Sequence, residues 1–236
     1  LETTFPGAIA IFATGCAGDV NTGHSAAASL SLLATPERSF AKAKEIGFGI
    51  ANSVIDARLT DVSGNVGHSE VFADICFEQR EQEAPDILAK SWRLAAKDTS
   101  SLEVIWANWA EKHMGRDLSP LKARITALKW GSVGIIALPG EIFAETALEI
   151  REKLAQKDPL FILAYADDNP GYIPPESDYL RGGYEIDEAH RFYGLGATIA
   201  PKTAEHLAEA GCKSVEMAGI SAAQTRPTKT YLSQGV

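Results

Sequence analysis

Basic residues are in short supply in this sequence. Lys and Arg number 22 against 31 Asp and Glu, for a formal net charge of −9 and a pI of about 5.1. Phosphate backbones are bound by a Lys/Arg excess on one face, so this balance excludes a nucleic-acid partner. It also leaves no polybasic patch for an anionic membrane surface. Long apolar runs are missing. The longest, Val133 to Leu138, is strand-sized and falls well short of the roughly 18 residues of a membrane span. Cysteine is scarce: Cys16, Cys76 and Cys212 are odd in number and far apart. They provide neither a disulfide framework nor a Cys metal cluster, and they suit a reducing compartment such as the cytoplasm. Among His24, His68, His113, His190 and His206 there is no H-x-H or H-E-x-x-H pair. His24, in a Gly-rich turn, is the best placed of them as a ligand, and His190 comes second. There is no G-x-S-x-G elbow, no Walker loop and no dinucleotide fingerprint. Internal repeats, low-complexity tracts and dividing linkers are absent, as are an initiator Met and a signal-peptide pattern.

What is there reads as one globular unit. The 236 residues are 45% hydrophobic and 22% charged, enough to bury a sizeable core. Residues 7–13 read as a buried apolar strand almost at once, which suggests a fragment or a processed chain. Phe40, Ala43, Ile46, Ile50 and Val54 recur at helical spacing within 37–58. Residues 66–79 alternate loosely as a strand. Residues 82–98 and 100–113 read as two helices, with Trp92, Trp106 and Trp109 among their apolar residues. Two alternating runs flank Gly131-Ser132 and predict a hairpin over 121–138. A helix at 142–156, a buried strand at 160–165, a loop at 166–185 without a regular period and a helix at 199–210 follow. Ser214 to Met217 is a strand candidate, and 221–236 reads as a tail. Hairpin, helix, strand and loop together predict an α/β domain of mixed β-sheets flanked by helices, in an α-β-β-α layered, hydrolase-like arrangement.

Candidate chemistry gathers between Leu138 and Tyr193. Glu141 follows a Pro-Gly corner. It is either a solvated acid in the first turn of a helix or a carboxylate at a strand's end, where its oxygens suit zinc. Tyr172, Tyr179 and Tyr184 stand in a Gly/Pro-rich loop. Each ring either caps the core with its hydroxyl on water or backbone, or presents a phenol to a metal or a developing oxyanion. Asp167-Asp168-Asn169 could bind a hard cation but has the composition of a turn before Pro170. The turn from Gly15 to His24 places Asp19 and Asn21 rigidly at a strand's end, for capping or for catalysis.

Several segments together resemble the catalytic domain of the neutral/alkaline (non-lysosomal) ceramidases and their shorter bacterial relatives. They are A-I-A-I-F-A-T-G-C-A-G-D-V-N, F-A-K-A-K-E-I-G, A-L-P-G-E-I-F and D-N-P-G-Y-I-P-P-E-S-D-Y-L-R-G-G-Y-E, in order from Ile9 to Tyr193. The resemblance implies a zinc amidohydrolase cleaving an N-acyl bond of a small-molecule or lipid-like substrate. It implies Glu141 and Tyr172 as zinc ligands and Tyr184 as the group that stabilises the oxyanion. The family's G-D-V-S-P-N motif reads Gly18-Asp19-Val20-Asn21-Thr22 here. Asn21 replaces the serine proposed as nucleophile, and an amide cannot take that part. A zinc-water mechanism, with Asn21 orienting substrate or water, is what remains. The family's two zinc-binding histidines lie upstream of the Gly-rich motif, and none of the five here matches them. The expectation is therefore the C-terminal part of a catalytic domain. A relative without catalysis, binding a ligand or acting as a structural subunit, is the alternative.

Overall fold

The computed structural model describes residues 1–21, 23, 38–58, 60–154 and 159–220. In chain order these form α1 (Phe40–Ile55), β1 (Val66–Ile75), β2 (Phe77–Glu78), α2 (Pro85–Ala95), α3 (Leu102–Lys112), β3 (Leu121–Trp130), β4 (Val133–Ala137) and β5 (Glu141–Ile142). Then come α4 (Ala144–Leu154), β6 (Leu160–Leu163), β7 (Tyr172–Ile173), a 3₁₀ turn (Glu176–Asp178), α5 (Tyr184–Asp187), α6 (Ala189–Phe192), β8 (Thr198–Ile199) and α7 (Thr203–Met217). The architecture is α/β, a mixed sheet with flanking helices, as the alternation of patterns predicts.

The main sheet has the order β1-β3-β4-β6. Its first three strands are antiparallel, and β6 joins β4 in parallel. The predicted hairpin is β3–β4, closed at Gly131 with a positive φ of 61°. One face carries the core, in which Ile125, Ile136, Leu138, Ile150, Ile162, Leu207 and Val215 pack together. That face is covered by α7, which lies on β1, β3 and β4 and against α4. The opposite face is open among the described residues. Strand alternation sends Phe72, Leu128, Trp130 and Phe161 there, and Phe72 is 63% and Trp130 66% exposed. An α-β-β-α arrangement would lay a second sheet on that face.

Three expectations change. Residues 7–13 form no strand in the described structure, with Ile11 87% and Phe12 77% exposed. A strand needs a partner for its backbone groups. Only the end of this segment finds one, where Gly15 bridges to Leu163 and Ala164 donates to Thr14. Ser214 to Met217 is not a strand but the last turn of α7. Ala204, Leu207, Ala208, Gly211 and Val215 form one buried helical stripe. The loop at 166–185 contains β7, the 3₁₀ turn and the start of α5. His24, the small apolar stretch 25–35 and the tail 221–236 lie outside the described residues. No helix of the described chain is long and apolar enough to cross a membrane.

The two faces of the sheet predict unequal costs. Ile136 is fully buried, and Ile136→Ala is expected to lower unfolding free energy in urea by about 2–5 kcal/mol. Trp130→Ala on the open face is expected to change it by only about 0.5 kcal/mol. A Trp130→Ala cost equal to that of Ile136→Ala would show the outer face to be covered in solution.

Candidate active site

The candidate site is built where two short parallel strands meet. β5 pairs with β7, and the register sets Glu141 directly beside Tyr172. Glu141 N–H donates to the Gly171 carbonyl at 2.8 Å, and Gly140 N–H to the Asp168 carbonyl at 3.0 Å. The Gly-rich turn closes over this pair. Gly18 N–H donates to the Ile142 carbonyl at 2.9 Å. A Cβ on Gly18 would lie 2.4 Å from the Glu141 carbonyl oxygen, so only glycine permits the approach. Asp19 accepts a hydrogen bond from Ala144 N–H at 2.7 Å. It caps α4 across a long sequence separation and so fixes the corner from which Glu141 projects. Asn21 follows in the same turn and is exposed.

Phenols surround the carboxylate. Tyr193 Oη donates to Glu141 Oε1, and Tyr165 Oη donates to Oε2 at 3.2 Å. Tyr172 is close enough for Glu141 to act on its hydroxyl. The rings brace one another edge to face. Tyr172 lies 5.9 Å from Tyr184 at 75° and 6.4 Å from Tyr193 at 86°. Gly171, at φ 112°, lets the Tyr193 ring rest against the backbone, since a Cβ there would meet Tyr193 Cδ2 at 2.9 Å. Tyr165 holds a positive φ of 58°, a sparsely populated conformation for a bulky side chain.

Electrostatics favour protonated phenols. Burial, then the Glu141 charge, pushes the Tyr165 hydroxyl up to about 12. The same two causes, in the same order, raise Tyr172 and Tyr184. In Tyr193, burial is followed by the hydrogen bond to Glu141 and then by its charge. Carboxylates at Glu185 and Glu188 add to the effect on Tyr184. Burial raises Cys16 to about 12, with Arg151 opposing and Asp19 adding. It is therefore a protonated thiol rather than a nucleophile.

Sequence candidates thus separate. Glu141, Tyr172 and Tyr184 come together. Asp19 has a capping partner. Tyr179 takes the structural part, buried with its hydroxyl on the Ile199 carbonyl at 2.8 Å. Asp167 pairs with Arg124 at 2.7 Å, and Asp168 bonds the following N–H, as in a turn. Tyr165 and Tyr193 are the residues that sequence reasoning missed. Tyr165 had one available signal, its place at the C-terminal end of a buried strand. Nothing local marks Tyr193.

The donor set suits a hard cation in part. A carboxylate and a phenol stand side by side, with no basic group among the charges acting on the phenols. Zinc sites commonly use four ligands. Among the described residues, no three His, Cys, Asp or Glu side chains gather to complete one.

No family model matches the sequence, and no curated protein matches it. Among solved structures, the chain is similar to the neutral ceramidase of Pseudomonas aeruginosa, with a TM-score of 0.49 and 14% identity. That match covers 85% of this chain and 37% of the other. A ceramidase complexed with C2 is similar at a TM-score of 0.46 and 12% identity, over 81% of this chain and 36% of that one. The chain thus spans little more than a third of the length of either.

Raised phenols make an alkaline prediction. A group whose pKa is higher folded than unfolded keeps its full stability contribution below the ordinary value of 10.0 and loses it as pH rises through the folded value, about 12 for Tyr165. Stability should therefore fall from pH 10 upward, and ultraviolet titration should show fewer than the six tyrosines of the sequence ionising near 10. Glu141→Gln removes the charge and should move Tyr165, Tyr172, Tyr184 and Tyr193 toward 10.0, leaving Tyr179 where it is. All six ionising together in the folded wild type would contradict this.

Proposed function

We propose that the chain carries part of the active site of a zinc-dependent hydrolase that cleaves an amide (N-acyl) bond of a small-molecule or lipid-like substrate. The carrying observation is the register pairing of Glu141 with Tyr172, with Tyr184 packed against that tyrosine. These are the positions to which the ceramidase motifs assign ligands and oxyanion donor. Glu141 and Tyr172 would hold the ion, with two histidines from upstream of the Gly-rich motif completing the set. Among the described residues, the open sheet face and the pairing of two ligands both support the reading as a C-terminal part of a larger catalytic domain.

Zinc, when bound, supplies Lewis acidity and a water of lowered pKa. The chain's own residues do the rest. Tyr184, kept protonated by burial and neighbouring carboxylates, donates a hydrogen bond to the oxygen that gains charge as the carbonyl carbon is attacked. Asn21, an amide without nucleophilic capacity, orients substrate or the attacking water. Asp19 holds the α4 corner, and through it the backbone of Glu141. Tyr165 and Tyr193 fix the carboxylate rotamer.

Zinc content and hydrolysis of N-acyl substrates by the natural full-length polypeptide test this reading. Glu141→Ala should abolish zinc retention, and Tyr172→Phe should weaken it. Tyr184→Phe should retain zinc and lose roughly 10²–10³-fold in kcat, the cost of one oxyanion donor. Full-length protein that takes up no zinc would overturn the hydrolase reading in favour of a catalytically silent relative, to which Asn21 in the serine position already points.

A further inference from the structure

The α2–α3 hairpin is set apart from the main core. Ala89, Ala107, Trp109, Ala110 and Met114 form a cluster of their own, with Leu88 and Trp92 against it. Beyond the hairpin itself, α6 is the element that α3 meets most. The meeting is made by polar side chains. The Arg191 guanidinium lies 5.1 Å from the ring centres of Trp92 and Trp106 and 5.5 Å from that of Trp109. The His190 ring stands edge-on to Trp109 at 5.1 Å. Both side chains share one carboxylate oxygen: Glu81 Oε1 is 3.4 Å from His190 Nε2 and 3.5 Å from Arg191 Nη2.

The backbone is stapled at the same place. Trp109 Nε1 donates to the Leu195 carbonyl at 2.6 Å. Leu195 N–H donates to the His190 carbonyl at 3.1 Å, and Gly115 N–H to the Gly196 carbonyl at 2.8 Å. The stapled stretch, 190–196, contains Tyr193, and Tyr184 lies six residues before it. Phe192 lies 6.1 Å from Tyr184 and ties it to that stretch.

This is an expensive way to gain stability. The Arg191 and Glu81 side chains are only 12% and 10% exposed, and burying charged groups costs more than packing apolar ones of equal size. A planar guanidinium on three indoles, held by a shared carboxylate, does fix orientation. At 3.4 Å the His190–Glu81 contact is too long for a well-formed hydrogen bond. Burial raises the Glu81 carboxyl, but His190, its own backbone and Arg191 together bring it below the usual value. The acid is thus held ionised opposite Arg191.

We propose that Glu81, His190 and Arg191 are positioning residues: seated on the Trp92/Trp106/Trp109 platform, they hold Tyr184 and Tyr193 in place beside Glu141 and Tyr172. The proposal rests on the reading that Glu141 is the centre of the site. None of the three touches substrate; they act through the segment 184–193.

The test is ring-to-ring nuclear Overhauser contact in tyrosine-labelled protein. Wild type should show contacts from Tyr172 to both Tyr184 and Tyr193. Arg191→Met should lose both, with Ile136, Leu138 and Ile150 methyl signals unmoved. Arg191→Lys keeps a cation for Glu81 but no plane for the indoles, and it should restore the contacts in part. Glu81→Gln keeps size and should also lose them, and it decides the matter if Arg191→Met does not fold. Contacts that persist in Glu81→Gln, or in a folded Arg191→Met, would overturn the proposal. Zinc uptake, measured separately on the natural polypeptide, tests the metal reading. Its failure with the contacts behaving as expected sinks the metal reading alone.

Discussion

One strand register holds this site together. The parallel register of β5 and β7 makes Glu141 and Tyr172 neighbours by backbone geometry, before any side-chain preference acts. The remaining parts are arranged around that pair. Gly18 brings the Gly-rich turn onto the Glu141 carbonyl. Asp19 caps the helix that leaves the corner. Tyr165 and Tyr193 each take one carboxylate oxygen. A two-residue strand pair is weak alone, so its persistence depends on the buried core residues it carries. Ile142 and Ile173, the next residues in register, are both fully buried in the main core. Burial fixes Ile142 and Ile173, and alternation along the strand then turns Glu141 and Tyr172 away from the core.

The sequence made the elements with strong periodicity legible. The β3–β4 hairpin, the α2–α3 pair and α4 fall where alternation and helical spacing place them. Residues 7–13 show the limit of that reasoning. Their composition is that of a buried strand, but burial is a property of what lies across from a segment. Gly211 shows another limit. The helix predicted over 199–210 stops just before it, yet it lies inside α7, where Ile136, Ile150 and Leu138 come within 3.5–3.7 Å of where a Cβ would sit. A glycine that ends a helix and one that admits close packing look the same in a sequence.

The site was legible in part for the same reason. Glu141 was marked by its motif and by its place at a strand's end, and Tyr172 by its motif in a Gly/Pro-rich loop. Tyr193 was not, because its approach to Glu141 depends on a helical hairpin about a hundred residues earlier in the chain. Tyr179 shared the surroundings of Tyr172 and Tyr184 but went into the core. Three tyrosines in one loop therefore divide into two kinds, and only packing separates them. Four phenols share the Glu141 charge; Tyr184 also raises the cost of ionising Tyr172, and both raise that of Tyr193.

The open face of the main sheet has a consequence for the molecule's behaviour in bulk. Trp130, Phe72 and Phe161 are exposed on that face among the described residues, beside the Arg124–Glu70 ion pair; exposed apolar side chains are where copies can meet. The net charge of −9 opposes that encounter over a distance set by ionic strength, from about 30 Å in roughly 10 mM salt to about 8 Å under physiological conditions. Colloidal stability therefore runs opposite to the usual instinct about salt. Dilute buffer strengthens the repulsion between copies of this chain, and added salt weakens it.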